Sequence, residues 1–137
     1  MASSPPPDFR EKRQILFGDR ASDEDRLRAA REFFDAARFG EALELLERAP
    51  DETLLSRVGE EATRRGDTFL LLRVEKILGR ELPASAWLAA GRSAETGGRF
   101  LDAHRAYTRA GDTERAASLR ATEIAVPETL RPENKDP

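Results

Sequence analysis

The sequence predicts an all-helical protein, and three observations carry that prediction. Apolar residues recur at three- and four-residue steps through most of the chain, the spacing that lines one face of an α-helix. β-Branched residues are sparse, and no stretch alternates with the period of two that a half-buried strand requires. Glycine and proline punctuate the pattern at intervals, cutting it into pieces of ordinary helix length.

Taken in order, Asp8 caps a first helix over residues 9–17 that stops at Gly18. Ser22 or Asp23 starts a longer one, with acidic residues in the first turn where the helix dipole favours them. Its stripe is Leu27, Ala30, Phe33, Phe34 and Ala37. A break at Phe39-Gly40 leads into Ala42, Leu43, Leu45, Leu46 and Ala49, and Pro50 ends that helix. The layout then repeats. Leu54, Leu55, Val58 and Ala62 mark a helix ending at Arg65-Gly66-Asp67. The next carries residues 69–72, Val74, Ile77 and Leu78, and ends at Gly79 and Pro83. A third pair has Trp87, Leu88, Gly91 and Ala94, a break at Gly97-Gly98, then Phe100, Ala103, Ala106, Tyr107 and Ala110. Gly111-Asp112 closes it, and a last helix covers residues 113–121. Residues 1–7, rich in Ser and Pro, and residues 123–137 are expected to be largely disordered, flanking one helical domain over 8–122.

The 137 residues are 36% charged, 39% hydrophobic and 7% aromatic, a balance suited to one domain with long solvated helix faces. A net charge of −3, from 23 basic and 26 acidic residues, supplies no basic field for nucleic acid. Twenty of the basic residues are Arg, which together with abundant Ala is the signature of a GC-rich genome as much as of selected chemistry. The absence of cysteine excludes disulfides and thiolate sites, and a single histidine excludes multi-histidine metal sites within one chain. No apolar run has the length of a membrane helix, and residues 1–7 lack the features of a signal peptide. A cytoplasmic bacterial protein is the expectation.

Helix pairs at a fixed spacing are the mark of helical repeats. The third pair resembles a tetratricopeptide repeat (TPR), whose pattern is W-x₂-L-G-x₂-Y followed by A-x₃-F: the chain has Trp87-x₂-Ala90-Gly91-x₂-Ala94, then Ala103-x₃-Tyr107. Gly91 and Ala103 are small so that two helices can approach, and Trp87 and Tyr107 fill the space beside them. Ala30, Ala42, Phe33 and Leu46 hold the matching positions in the first pair, and Phe39-Gly40-Glu41-Ala42 resembles the family's turn. In the middle pair Val58-Gly59, Gly66-Asp67 and Pro83 fit. Leu71 and Glu75 stand where a small residue and an aromatic belong, so a turn one residue shorter, turning Leu70, Val74 and Ile77 inward, is expected there. The anchors Ala30, Gly59 and Gly91 are 29 and 32 residues apart, against a family period of about 34. The resemblance spans residues 23–115. It implies a right-handed stack of about three antiparallel helix pairs with a flanking helix at each end, the alternative being an irregular helical bundle.

Catalytic chemistry finds no support in the sequence. His104 has Asp102 and Arg105 beside it, but residues one or two apart on a helix do not face each other. The stretch Gly91-Arg92-Ser93-Ala94-Glu95-Thr96-Gly97-Gly98 lacks the Gly-Lys-Ser/Thr ending of a phosphate loop and has no strand before it. Glu60-Glu61 and Asp23-Glu24-Asp25 read as solvated or capping charges, and Arg65-Gly66-Asp67 as a helix terminus. No catalytic residue, metal site or cofactor is expected.

What the resemblance implies is a scaffold that binds another protein or a peptide in a concave groove lined by the first helices of the pairs. Leu27, Arg28, Arg31, Phe34, Arg57, Arg64, Leu88 and Arg92 are the expected groove residues, with Asp35, Ser56, Glu60, Thr63, Glu95 and Thr96 beside them in the same register. A row of guanidinium groups there fits an acidic extended or helical peptide. Pairing of the same arginines with Glu24, Asp35, Glu60 and Glu95 is the equally weighted alternative. The Lys/Asn clamp with which some family members hold chaperone tails is missing, its positions being held by Leu27, Arg31, Arg57, Ser85 and Ala89. Small TPR chaperones of secretion systems are similar in size and acidic balance. Self-assembly into a homo-oligomeric structural unit is the rival function.

Overall fold

The computed structural model describes residues 4–122, and for residues 120–122 the backbone alone. All regular structure among the described residues is helical: α1 (Phe9–Phe17), α2 (Asp23–Asp35), α3 (Phe39–Arg48), α4 (Glu52–Arg65), α5 (Thr68–Leu78), α6 (Ala84–Thr96), α7 (Phe100–Ala110) and α8 (Thr113–Thr122). The expectations for residues 1–3 and 123–137 lie outside the described residues. Residues 4–7 carry no helix, yet Pro7 is buried.

Local chemistry sets the boundaries. The Asp8 carboxylate accepts from the Glu11 N–H at 2.8 Å, and Ser22 with Asp25 forms a reciprocal capping box. Asp51 and Asp67 cap α4 and α5 in the same way, taking the Leu54 and Leu70 N–H groups. Four turns share one closing geometry. The N–H groups of Arg38, Asp67, Arg99 and Asp112 reach back to the carbonyls of Phe33, Ala62, Ala94 and Tyr107 at 2.8–2.9 Å. The residue just before each donor is left-handed: Ala37, Gly66, Gly98 and Gly111, with φ of 59–82°. Ala37 takes this conformation without being glycine, which places the first break at residues 36–38, ahead of the expected Phe39-Gly40. Phe39 and Gly40 instead open α3.

Neighbouring helices joined by these turns pack together: α2 on α3, α4 on α5, and α6 on α7, the last the most extensive pairing. Between pairs, α4 packs on α6, and α3, α5 and α7 contact in succession. Alanine makes the close pairings possible. Ala30 and Ala42, then Ala90, Ala94, Ala103 and Ala106, are completely buried, and their small side chains let backbones approach. Phe33, Leu43, Leu45, Leu46, Leu55, Val58, Leu71 and Val74 fill the main core. A smaller cluster of Ala94, Ala103, Tyr107, Ala116 and Leu119 joins α6 and α7 to α8.

The middle pair departs from the expected substitution of register. Leu70 and Val74 do turn inward, but so do Leu71, completely buried, and Glu75, 8% exposed. Glu75 occupies the site of the missing aromatic as a polar hub. One of its oxygens accepts the Leu82 N–H at 2.7 Å and the Trp87 indole N–H at 3.2 Å, and the other pairs with Arg109. Arg109 also lies over the Trp87 ring, 5.4 Å from its centre. One carboxylate therefore ties α5 to the following loop, to α6 and to α7, and its two oxygens find enough donors to be buried.

At the ends, α1 is fastened by charge. Lys12 Nζ lies 3.2 Å from both Glu41 and Glu44 of α3, and the Arg26 guanidinium donates to the Ile15 carbonyl. Burial pushes the Glu41 carboxyl up, but hydrogen bonds from Arg38 and Lys12 outweigh it and hold the group below its usual range. Arg99 closes the C-terminus of α4 by donating to the Arg65 and Gly66 carbonyls.

Candidate functional site

A cleft of about 490 Å³ with mainly apolar walls lies between α4 and α6. The α4 wall presents Leu55, Ser56, Gly59, Glu60, Thr63 and Arg64. The α6 wall presents Ser85, Ala86, Ala89 and Ser93; Val74 of α5 floors the cleft, and Leu82 and Pro83 close one end. These residues share a wall because helix neighbours three and four apart lie one above another: 56, 59, 60 and 63 on α4, and 85, 86, 89 and 93 on α6. An apolar floor with hydroxyls and charges at the rim is the usual make-up of a ligand site, and the volume lies within the usual range of ~300–1,000 Å³.

Among the eight expected groove residues, Arg64 alone lines this cleft, and its guanidinium is paired with Glu61 one turn away. Arg57 lies on the side of α4 that meets α2, its guanidinium 4.4 Å from the centre of the Phe34 ring. Phe34 also packs against Phe39, with ring centres 5.3 Å apart, and Leu27 rests against the main core. Arg28 is exposed and stands 3.7 Å from Asp25. Arg31 and Arg92 are exposed and enter no ion pair among the described residues. Leu88 packs on the cluster of Ala94, Ala103 and Tyr107. The structure thus brings Phe34 and Arg57 together, with Leu27 packed on the same core, and leaves Arg31, Leu88 and Arg92 off the cleft.

Of the charges that do line the cleft, Glu60 is the one with no hydrogen bond or ion pair among the described residues. Thr63 is engaged within its helix, donating to the Gly59 carbonyl at 2.8 Å. Sequence reasoning reached Ser56, Glu60 and Thr63 through the repeat register. It missed Ala86 and Ser93, and it reached Ser85 and Ala89 only as places where a clamp is lacking. The signal available was their spacing with Ala86 at three- and four-residue steps, and the smallness of all four side chains.

His104 is half-buried, and its backbone carbonyl accepts from the Thr108 hydroxyl at 2.8 Å. No group of three or more His, Asp or Glu side chains among the described residues is placed to hold a metal ion. No helix among them is long and apolar enough to cross a membrane. No family model matches the chain, and neither a curated protein nor a solved structure matches it.

Proposed function

We propose that this chain is a non-enzymatic, cytoplasmic binding scaffold of TPR-like kind that engages another protein or a peptide through the α4/α6 cleft. The observation that carries the reading is the cleft itself: an apolar floor opened between two stacked first helices, with hydroxyls and an unpaired carboxylate at its rim. The contact order supports the repeat part of the reading, since each of three short-turn pairs packs within itself and second helices meet in succession.

The test is an affinity pull-down with wild type and three single variants. Ala89→Arg fills the cleft from a half-buried position, whereas Arg31→Glu and Arg92→Glu alter exposed arginines away from it. The scaffold reading expects a specific partner to be lost with Ala89→Arg and kept with the other two. Loss with Arg31→Glu and Arg92→Glu alone moves the binding surface to the arginine row, and equal capture by all four proteins sinks both surfaces.

Self-assembly remains the second reading because three large apolar side chains stand in solvent along α5 and α7. Phe69 is 72% exposed and Leu101 52%, with Leu72 on the same face of α5 as Phe69. Thr68 donates to Asp102 at 3.0 Å, which sets the starts of the two helices side by side. A concentration series in light scattering decides it: a constant monomer mass rules this reading out.

A further inference from the structure

The second helices of the three pairs each turn one face to solvent. On α5 that face carries Phe69, Leu72 and Lys76, on α7 Leu101 and Arg105, and on α3 Glu44 and Glu47, all at three- or four-residue steps. Contacts run from α3 to α5 and from α5 to α7, so α5 lies in the middle. The three helices run in the same direction. Thr68 and Asp102 join the starts of α5 and α7, and Gly40 and Phe69, at the starts of α3 and α5, line one shallow hollow. Five large apolar side chains stand in solvent among the described residues, and three of them, Phe69, Leu72 and Leu101, are on this strip. Their gathering on adjacent helices marks an interaction surface.

Charge points to what covers it. Glu44 and Glu47, about half exposed, hold the α3 edge. Arg105 on α7 is 60% exposed, and Lys76 on α5 is exposed and enters no ion pair among the described residues. Charges of the opposite sign are turned away. Arg73 and Asp102 are a third exposed or less, Arg48 lies over the Phe17 ring of α1, and Arg109 is held by the buried Glu75. A strip that is acidic on one edge, apolar in the middle and basic on the other is complementary to itself when turned about an axis along its helices. That rotation lays α5 on its own copy and α3 on α7 of the second copy. An axis across the helices would lay α3 on α3 and α7 on α7, setting glutamates against glutamates and arginines against arginines, and like charges disfavour it.

Resting on the self-assembly reading above, we propose that the face formed by α3, α5 and α7 docks a second copy of this chain as a two-fold dimer with its axis along α5. Phe69 and Leu72 meet their counterparts across the axis, and Glu44 and Glu47 face Arg105 of the second copy. Lys76 comes near its own copy, and its flexible stem carries the ammonium group out to solvent. The α4/α6 cleft takes only Val74 from these three helices, so the dimer leaves both clefts open and holds two binding surfaces together.

The experiment is sedimentation equilibrium of the full chain over a concentration series. Wild type is expected to move from the chain mass to twice that mass. Leu72→Asp, a change at a solvent-exposed position, is expected to hold the monomer mass throughout, with circular dichroism and melting near those of wild type. Glu47→Lys and Arg105→Glu, taken singly, each set two like-charge contacts across the axis and are expected to weaken the dimer on the order of tenfold. An equimolar mixture of these two variants is expected to recover the dimer, because the mixed pair restores opposite charges at both contacts. A mixture that dimerises no better than either variant alone overturns the inference. A dimer indifferent to Leu72→Asp overturns it as well, while leaving self-assembly through another surface. A wild-type chain that stays monomeric across the series overturns the inference and the self-assembly reading together.

Discussion

Gly59 and Gly91 hold the same register on α4 and α6, yet a methyl group added at each meets different surroundings. At Gly59 the nearest atom to a new Cβ is Val74 Cγ1 at 3.8 Å, an ordinary contact. At Gly91 it is the Tyr107 ring, at 2.6 Å. That ring cannot step aside, being 1% exposed and held by a 2.6 Å hydrogen bond from its hydroxyl to Glu95. Replacing a mid-helix glycine by alanine gains up to about 1 kcal/mol of helix propensity, whereas overpacking costs about 1–3 kcal/mol. Gly59→Ala is therefore expected to raise stability by about 0.5–1 kcal/mol and Gly91→Ala to lower it by about 1–2 kcal/mol. Urea unfolding of the two variants checks the opposite signs. The smallness of Gly91 was legible in the W-x₂-x-G pattern, but the difference between the two glycines was not. It depends on an aromatic ring contributed by another helix.

At the scale of elements, α5 is the helix whose sequence pattern misleads. A charged residue in the aromatic position prompts a shift of register, but α5 keeps Glu75 facing inward and supplies it with donors from three directions. Removing the carboxylate leaves the Trp87 and Leu82 N–H groups and the Arg109 guanidinium short of a partner. Glu75→Ala is expected to cost about 3 kcal/mol or more. Glu75→Gln keeps an acceptor but loses the ion pair with Arg109, which is partly solvated, and is expected to cost about 1–2 kcal/mol. Thermal unfolding with tryptophan fluorescence reads both, because Trp87 is the sole tryptophan and its indole N–H is one of the hydrogen bonds at stake. A loss with Glu75→Ala no larger than with an ordinary surface change removes the hub from the fold's support.

Over the whole molecule, the C-terminal cluster carries a pH dependence with a definite sign. Burial raises the Tyr107 hydroxyl above its ordinary value of 10.0, and the Glu95 carboxylate beside it adds to the rise against the opposing Arg115. The folded state holds this proton more tightly than the unfolded chain does. The contribution is thus complete below the ordinary tyrosine value and is lost as pH rises through the higher folded one. As pH rises above the ordinary tyrosine value, wild type is expected to lose melting temperature more steeply than Tyr107→Phe; parallel losses count against the coupling. The sequence by itself determined the all-helical class and most helix boundaries, because apolar periodicity, Asp and Ser caps and glycine stops act over a few residues. Tertiary structure decided which surfaces meet. It placed the Arg57 guanidinium over the Phe34 ring, tied Arg64 to Glu61, and left a cleft between α4 and α6 lined by Ser56, Thr63 and Ala89. Those outcomes depend on side chains from different helices competing for one space, and a one-dimensional pattern records the candidates but not which of them arrives.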